Sequence, residues 1–189
     1  MSEQLTEIAG VQITVTGVSV GITVLTLLLM MVWWLLDRKK RTGRAFFAGQ
    51  VMNGIGFGLL PALAVWKALE ELGRSHPGTE VPEPLPQTRW LCDGGRYVPV
   101  RIEMAAALVC FFLICFWLIL RKEALPDNGD LLLISVCLWA GIRLVTEGFR
   151  AEPERIYRYA SCSVILSAVI LWAVRRSRIY HMPGRTAVW

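Results

Sequence analysis

Charged residues are scarce in this 189-residue chain. Asp, Glu, Lys and Arg together make up 19% of it, against about 25% in an ordinary soluble domain. Hydrophobic residues reach 54% and the mean hydropathy is +0.48. A disordered chain is excluded, and so is a soluble enzyme, which cannot hide this much apolar surface. Histidine is scarcer still: His76 and His181 both fall in loops without a metal-ligand neighbour, so no metal is expected. Four of the five cysteines (Cys110, Cys115, Cys137 and Cys162) lie inside apolar blocks, where a free thiol behaves as a small hydrophobe. With Cys92 as the fifth, no disulfide framework or cysteine metal box follows. The glycines of Gly54-Ile55-Gly56-Phe57-Gly58 follow no strand, which excludes a phosphate-cradling loop. No cofactor is expected.

What the chain does contain is apolar blocks of transmembrane length. They run over about residues 13–36, 45–69, 102–120, 131–149 and 156–174. The sequence therefore predicts an all-α integral membrane protein: one domain of five transmembrane helices over 1–178, followed by a tail at 179–189. The first block is too long for a signal-peptide core and follows Glu3 and Glu7, so it is expected to be retained. The formal net charge of +5 is no argument for nucleic acid, because neither zinc-finger spacing nor basic–aromatic interleaving accompanies it. Arg38, Lys39, Lys40, Arg41 and Arg44 share one loop with Arg121 and Lys122 in another and Arg175, Arg176, Arg178 and Arg185 at the end. All lie on one side of the five-span arrangement. Arg74, Arg89, Arg96, Arg101, Arg150, Arg155 and Arg158 lie on the other, with more acids. The positive-inside rule then puts the N-terminus outside and the C-terminus and tail in the cytoplasm. The outer loop at 70–101 carries Pro77, Pro82, Pro84, Pro86 and Pro99 and is expected to be mostly irregular, long enough to cover a mouth. Gly54, Gly56, Gly58 and the pair Gly17 and Gly21 are read as close helix packing, and Gln50 and Asn53 as interhelical glue. Trp33, Trp34, Trp66, Trp117 and Trp172 are read as an interfacial belt.

Charge inside the spans points to chemistry. Arg143, Glu147 and Arg150 are spaced i, i+4, i+7 and share one helical face. An arginine within a span costs roughly 2.5–3.5 kcal/mol, so such charges persist when they pair or line a polar cavity. A structural Arg143–Glu147 pair and a site for a polar or anionic ligand are the two readings. Glu103, beside Arg101 at the start of the third span, lies at the same outer level. Lys67 is expected to snorkel to the interface.

The stretch from Pro126-Asp127-Asn128-Gly129-Asp130 to Phe149-Arg150-Ala151-Glu152-Pro153 resembles the end of bacterial prolipoprotein diacylglyceryl transferases. That family has a Pro-x-Gly turn, a helix ending in Tyr-Gly-x-x-Arg-x-x-x-Glu-x-x-Arg, and a proline or acid soon after. Trp139 stands at the tyrosine, while Arg143, Glu147 and Arg150 match the charged positions. Val98-Pro99-Val100-Arg101-Ile102-Glu103 is similar to the family's His-Pro-x-Gln-x-Tyr-Glu helix start, matched at Glu103. The family's Arg-x-Gly-Asn-x-x-Asn-Gly-Glu signature is replaced by Leu59-Leu60-Pro61-Ala62-Leu63-Ala64-Val65-Trp66, and its His-Gly-Gly element has no counterpart. The layout matches the C-terminal part of the family's seven-span fold. The resemblance implies a bacterial plasma-membrane protein that transfers diacylglycerol from phosphatidylglycerol to a lipobox cysteine. Arg143, Glu147 and Glu103 would be the catalytic group, and Arg143, Arg150 and Arg101 the head-group ligands. Phosphatidylglycerol, a lipoprotein signal peptide and another membrane subunit are the implied partners. The alternatives are a catalytically silent relative that binds phospholipid or lipidated peptide, and a small membrane scaffold or transporter subunit whose charges are structural.

Overall fold

A computed structural model describes residues 4–8, 11–42, 48–73, 90–93, 96–120, 129–150 and 155–180. The outer-loop prolines at 77–86, the 3–4 loop at 121–128 and the tail from 181 lie outside the described residues. Five helices carry the fold: α1 (Val15–Thr42), α2 (Ala48–Gly73), α3 (Pro99–Leu120), α4 (Asp130–Thr146) and α5 (Arg155–Tyr180). Each provides a segment long and apolar enough to cross a membrane, Gly17–Asp37, Ala48–Glu70, Pro99–Leu120, Asp130–Phe149 (α4 with the short turn that follows it) and Arg155–Arg175, which is the pattern of a multi-pass membrane protein. The expected spans are recovered with small shifts. The first begins later, because Val11–Thr14 pairs with Gln4–Ile8 as an antiparallel hairpin, β2 with β1. Thr and Val lose little by being extended, since their branched side chains are already stiff at χ1. A second hairpin pairs Cys92–Asp93 (β3) with Arg96–Tyr97 (β4) just before α3. The fold is thus helical with two small hairpins.

The middle of the bundle is α2. Its apolar window is 56% buried, against 11% for α1, 17% for α3 and 6% for α5. It packs against α1, α3 and α4, while α5 leans on α4. Large side chains on the outer helices stay exposed, among them Leu29, Phe112, Phe116, Ile119 and Leu166. Such faces are stable against lipid, which is as apolar as they are. Hydroxyls on these helices bond their own backbone: Thr23 donates to Ser19 O at 2.8 Å and Ser163 to Tyr159 O at 2.8 Å, a local pairing that needs no water.

The glycines of α2 set the packing. A Cβ on Gly56 would lie 2.5 Å from Leu132 N and 2.6 Å from Leu131 C, so α2 and α4 meet backbone to backbone. Gly54 and Gly58 face Met31 and Leu27 of α1 in the same way. Asn53 adds a polar clasp: its Oδ1 accepts the Leu131 N–H at 3.0 Å, meeting one of the donors that a helix start leaves open. Phe57 centres the apolar core, with ring centroids 5.1 Å from Trp34 and 5.2 Å from Phe111. Two expectations change. Trp34 is a buried core residue rather than part of an interfacial belt. Gly17 and Gly21 are exposed, and nothing lies within 4 Å of a Cβ at Gly21, so Gly21 packs against no helix among the described residues.

Candidate functional site

The chain direction brings the ends of α2 and α4 and the starts of α3 and α5 to one end of the bundle. Ionic side chains collect there around Glu103, one turn into α3. The helix begins at Pro99, which needs no N–H partner in a first turn and has φ preset for the helix. The Glu103 side chain is 3% exposed. Its Oε2 lies 2.8 Å from Lys67 Nζ of α2. Its Oε1 accepts from Arg143 Nη1 of α4 at 3.2 Å and from the Thr146 hydroxyl at 3.1 Å. Arg150 Nη2 approaches the same oxygen at 3.8 Å. Lys67 also reaches Glu70 Oε2 at 2.6 Å, one turn further along α2.

Helix α4 stops at Thr146, and Glu147–Phe149 tightens into a 3-10 turn. The Glu147 N–H still reaches Arg143 O, so Arg143 and Glu147 stay one turn apart, and the tighter winding shifts only the residues beyond Glu147 from the 3.6-residue register. Arg143 pairs with Glu103 across the helix pair. Glu147, 1% exposed, faces Arg150 Nε through Oε2 at 3.4 Å. That contact is an ion pair without hydrogen-bond alignment, and Arg150 Nε has no hydrogen-bond partner among the described residues. The Arg143 guanidinium also sits 5.2 Å from the ring centroid of Tyr157 in the first turn of α5, a cation–π contact.

Of the residues singled out in the sequence, Glu103, Arg143, Glu147 and Arg150 come together. Arg101 points elsewhere: its Nη1 donates to Trp90 O at 3.0 Å and Cys92 O at 3.3 Å, tying the β3–β4 hairpin to α3. Tyr97 of that hairpin stacks edge-on against Phe149 at 5.5 Å, so the hairpin borders the cluster. Three members were missed. Lys67 does not snorkel; its side chain is 7% exposed and held between two carboxylates. The available signal was Glu70 at i+3, on the same helix face. Thr146 and Tyr157 carry ordinary helix-end signals, and only the folded chain brings them to Arg143.

Three cations (Lys67, Arg143, Arg150) thus face three carboxylates (Glu70, Glu103, Glu147). Formal charge is balanced, but access is not. Glu103 and Glu147 are closed off at 3% and 1% exposure, the Arg143 and Arg150 side chains retain 15% and 14%, and Glu70, on the far side of Lys67, is the most open at 28%. Both guanidiniums hold their carboxylates at 3.2–3.8 Å, longer than the 2.7–2.9 Å of a strong charge-assisted bond. Of the cations that hold Glu103 and Glu147, the two guanidiniums are more open than the Lys67 ammonium. The chemistry offered is recognition of an anion with two or more acceptor oxygens. Compared with known proteins, the chain matches no family model, no curated protein and no solved structure.

Proposed function

We propose that this chain is a phospholipid-binding membrane protein of the diacylglyceryl transferase type, in which Arg143 and Arg150 take the phosphate of an anionic head group. The observation that carries the reading is the order of access around Glu103 and Glu147: those two carboxylates are buried, while the guanidiniums that hold them are partly exposed and loosely held. An apolar groove of about 260 Å³ between α3 and α4, lined by Cys110, Ile114, Trp117, Leu131 and Leu138, supports it. The groove lies on the same helix pair as the cluster, toward the opposite end, and suits the tail of a lipid whose head is at Arg143. By the resemblance the lipid is phosphatidylglycerol, the membrane is the bacterial plasma membrane, and the cluster faces outward.

Transfer of diacylglycerol to a cysteine thiol is the second reading, favoured by the matched spacing of Arg143, Glu147 and Arg150. Glu103 accepts from Lys67, Arg143 and Thr146, which suits a positioning carboxylate better than one taking a proton from a thiol. Two measurements separate the readings. Purified wild-type protein should retain phosphatidylglycerol, and Arg143→Ala should lose it by about tenfold, the worth of one charge-assisted contact. Equal lipid retention by wild type and variant overturns the head-group assignment. Expression in transferase-depleted bacteria should leave a reporter lipoprotein unmodified; full modification establishes the second reading instead.

A further inference from the structure

We propose that Lys67 is a positioning residue that keeps the two guanidiniums available by occupying Glu103, an inference that rests on the anion-binding reading of the cluster. The shortest contact of the Glu103 carboxylate is to Lys67 Nζ, 2.8 Å from Oε2. The Arg143 contacts are longer, 3.2 and 3.4 Å to the two oxygens through the same Nη1. One guanidinium nitrogen shared between two oxygens is not the parallel fork that arginine and carboxylate form when unopposed. Lys67 stands where the second prong would fall. It is held there by Glu70 at 2.6 Å from the same ammonium, which has three donors to divide between them. Arg143 is left with donors to spend, beside Tyr157 and Arg150.

Without the Lys67 ammonium, Oε2 of Glu103 would be open, and Arg143 would rotate into a bidentate pair with it. Two of its N–H donors would then be consumed inside the protein. Anion affinity would fall although neither arginine had been touched, and Lys67 itself makes no contact with the anion. A direct ligand would behave differently, because removing Glu103 as well would not restore what it contributed.

The test uses the full chain in nanodiscs containing phosphatidylglycerol and phosphatidylcholine. Lys67→Met should lower phosphatidylglycerol enrichment by about tenfold, one charge-assisted contact's worth. Lys67→Met combined with Glu103→Gln should recover enrichment to within about threefold of wild type. In parallel, phenylglyoxal modification of Arg143, read on its peptide by mass spectrometry in detergent, should be slower in Lys67→Met and restored in the double variant. Should Lys67→Met fail to insert, Lys67→Gln carries the same comparison. Unchanged Arg143 reactivity in the single variant overturns the proposal, as does a double variant no better than the single one. A wild type with no preference for phosphatidylglycerol defeats the lipid reading alone, and the arginine reactivity still decides the role of Lys67.

Discussion

A carboxylate among apolar helices keeps its charge only where enough donors meet it, and Glu103 draws them from both neighbouring helices. Lys67 comes from α2, Arg143 and Thr146 from α4. Breaking a buried ion pair by removing one side is costly, because the remaining charge has lost its compensation. Glu103→Ala would leave Lys67 with Glu70 alone and Arg143 with the Tyr157 face. It should cost on the order of 3 kcal/mol, measured by chemical unfolding in detergent; a loss below about 1 kcal/mol, the level of an exposed pair, would mean the cluster is effectively solvated. Arg143→Lys separates charge from shape. The ammonium keeps a cation beside Glu103 but cannot present the planar fork, so stability should hold within about 1 kcal/mol while phosphatidylglycerol retention falls. Loss of both together would make Arg143 a packing residue.

At the scale of elements, glycines of like appearance do opposite things. Gly54 and Gly58, with Gly56 between them, let α2 touch α1 and α4, and the Cβ of an alanine at Gly56 would meet α4 backbone at 2.5 Å. Alanine gains about 1 kcal/mol of helix propensity over glycine, but overpacking costs about 1–3 kcal/mol. With rigid backbone as the obstacle, the clash wins. Gly56→Ala should lower the melting temperature and weaken the α2–α4 contact, whereas Gly21→Ala, with open space around it, should be neutral or slightly stabilising. Equal effects at the two positions would refute the packing assigned to α2. This contrast also marks where the sequence stops being readable. The five spans follow from the apolar runs, because length and hydropathy are local properties. Which glycine faces a neighbour depends on how each helix is rotated, and small residues three or four apart carry no record of that. Lys67 escaped for the same reason. Its place near a helix end says snorkelling, and only the arrival of Glu103 from α3 makes burial the better state. Arg143 and Glu103 were visible because charges inside apolar runs always need an answer, but that they answer each other from different helices is recorded in neither run. The 3-10 turn at Glu147–Phe149, which sets where Arg150 falls, leaves no mark in the residue types.

For the whole molecule, the charged cluster and the basic close of α1 lie at opposite ends of the bundle, and transfer to an exported cysteine requires that the cluster face outward. The Arg143 end carries the β3–β4 hairpin with Cys92, half-buried and in no disulfide. The opposite end carries Lys39 and Lys40, both exposed near the close of α1. Basic residues are retained on the cytoplasmic side during insertion, so this asymmetry predicts a direction that labelling can check. An impermeant maleimide applied to intact cells should modify Cys92. Lys40→Cys should be modified only after permeabilisation. The cysteines within the spans, Cys110, Cys115 and Cys137, lie in apolar helices that a membrane-impermeant reagent does not enter, and they serve as an internal background. The reverse pattern, Lys40→Cys labelled in intact cells and Cys92 protected until permeabilisation, would turn the molecule over. Arg143 would then meet inner-leaflet head groups, and transfer to an exported lipobox cysteine would lose its geometry, while anion recognition by the two guanidiniums would stand.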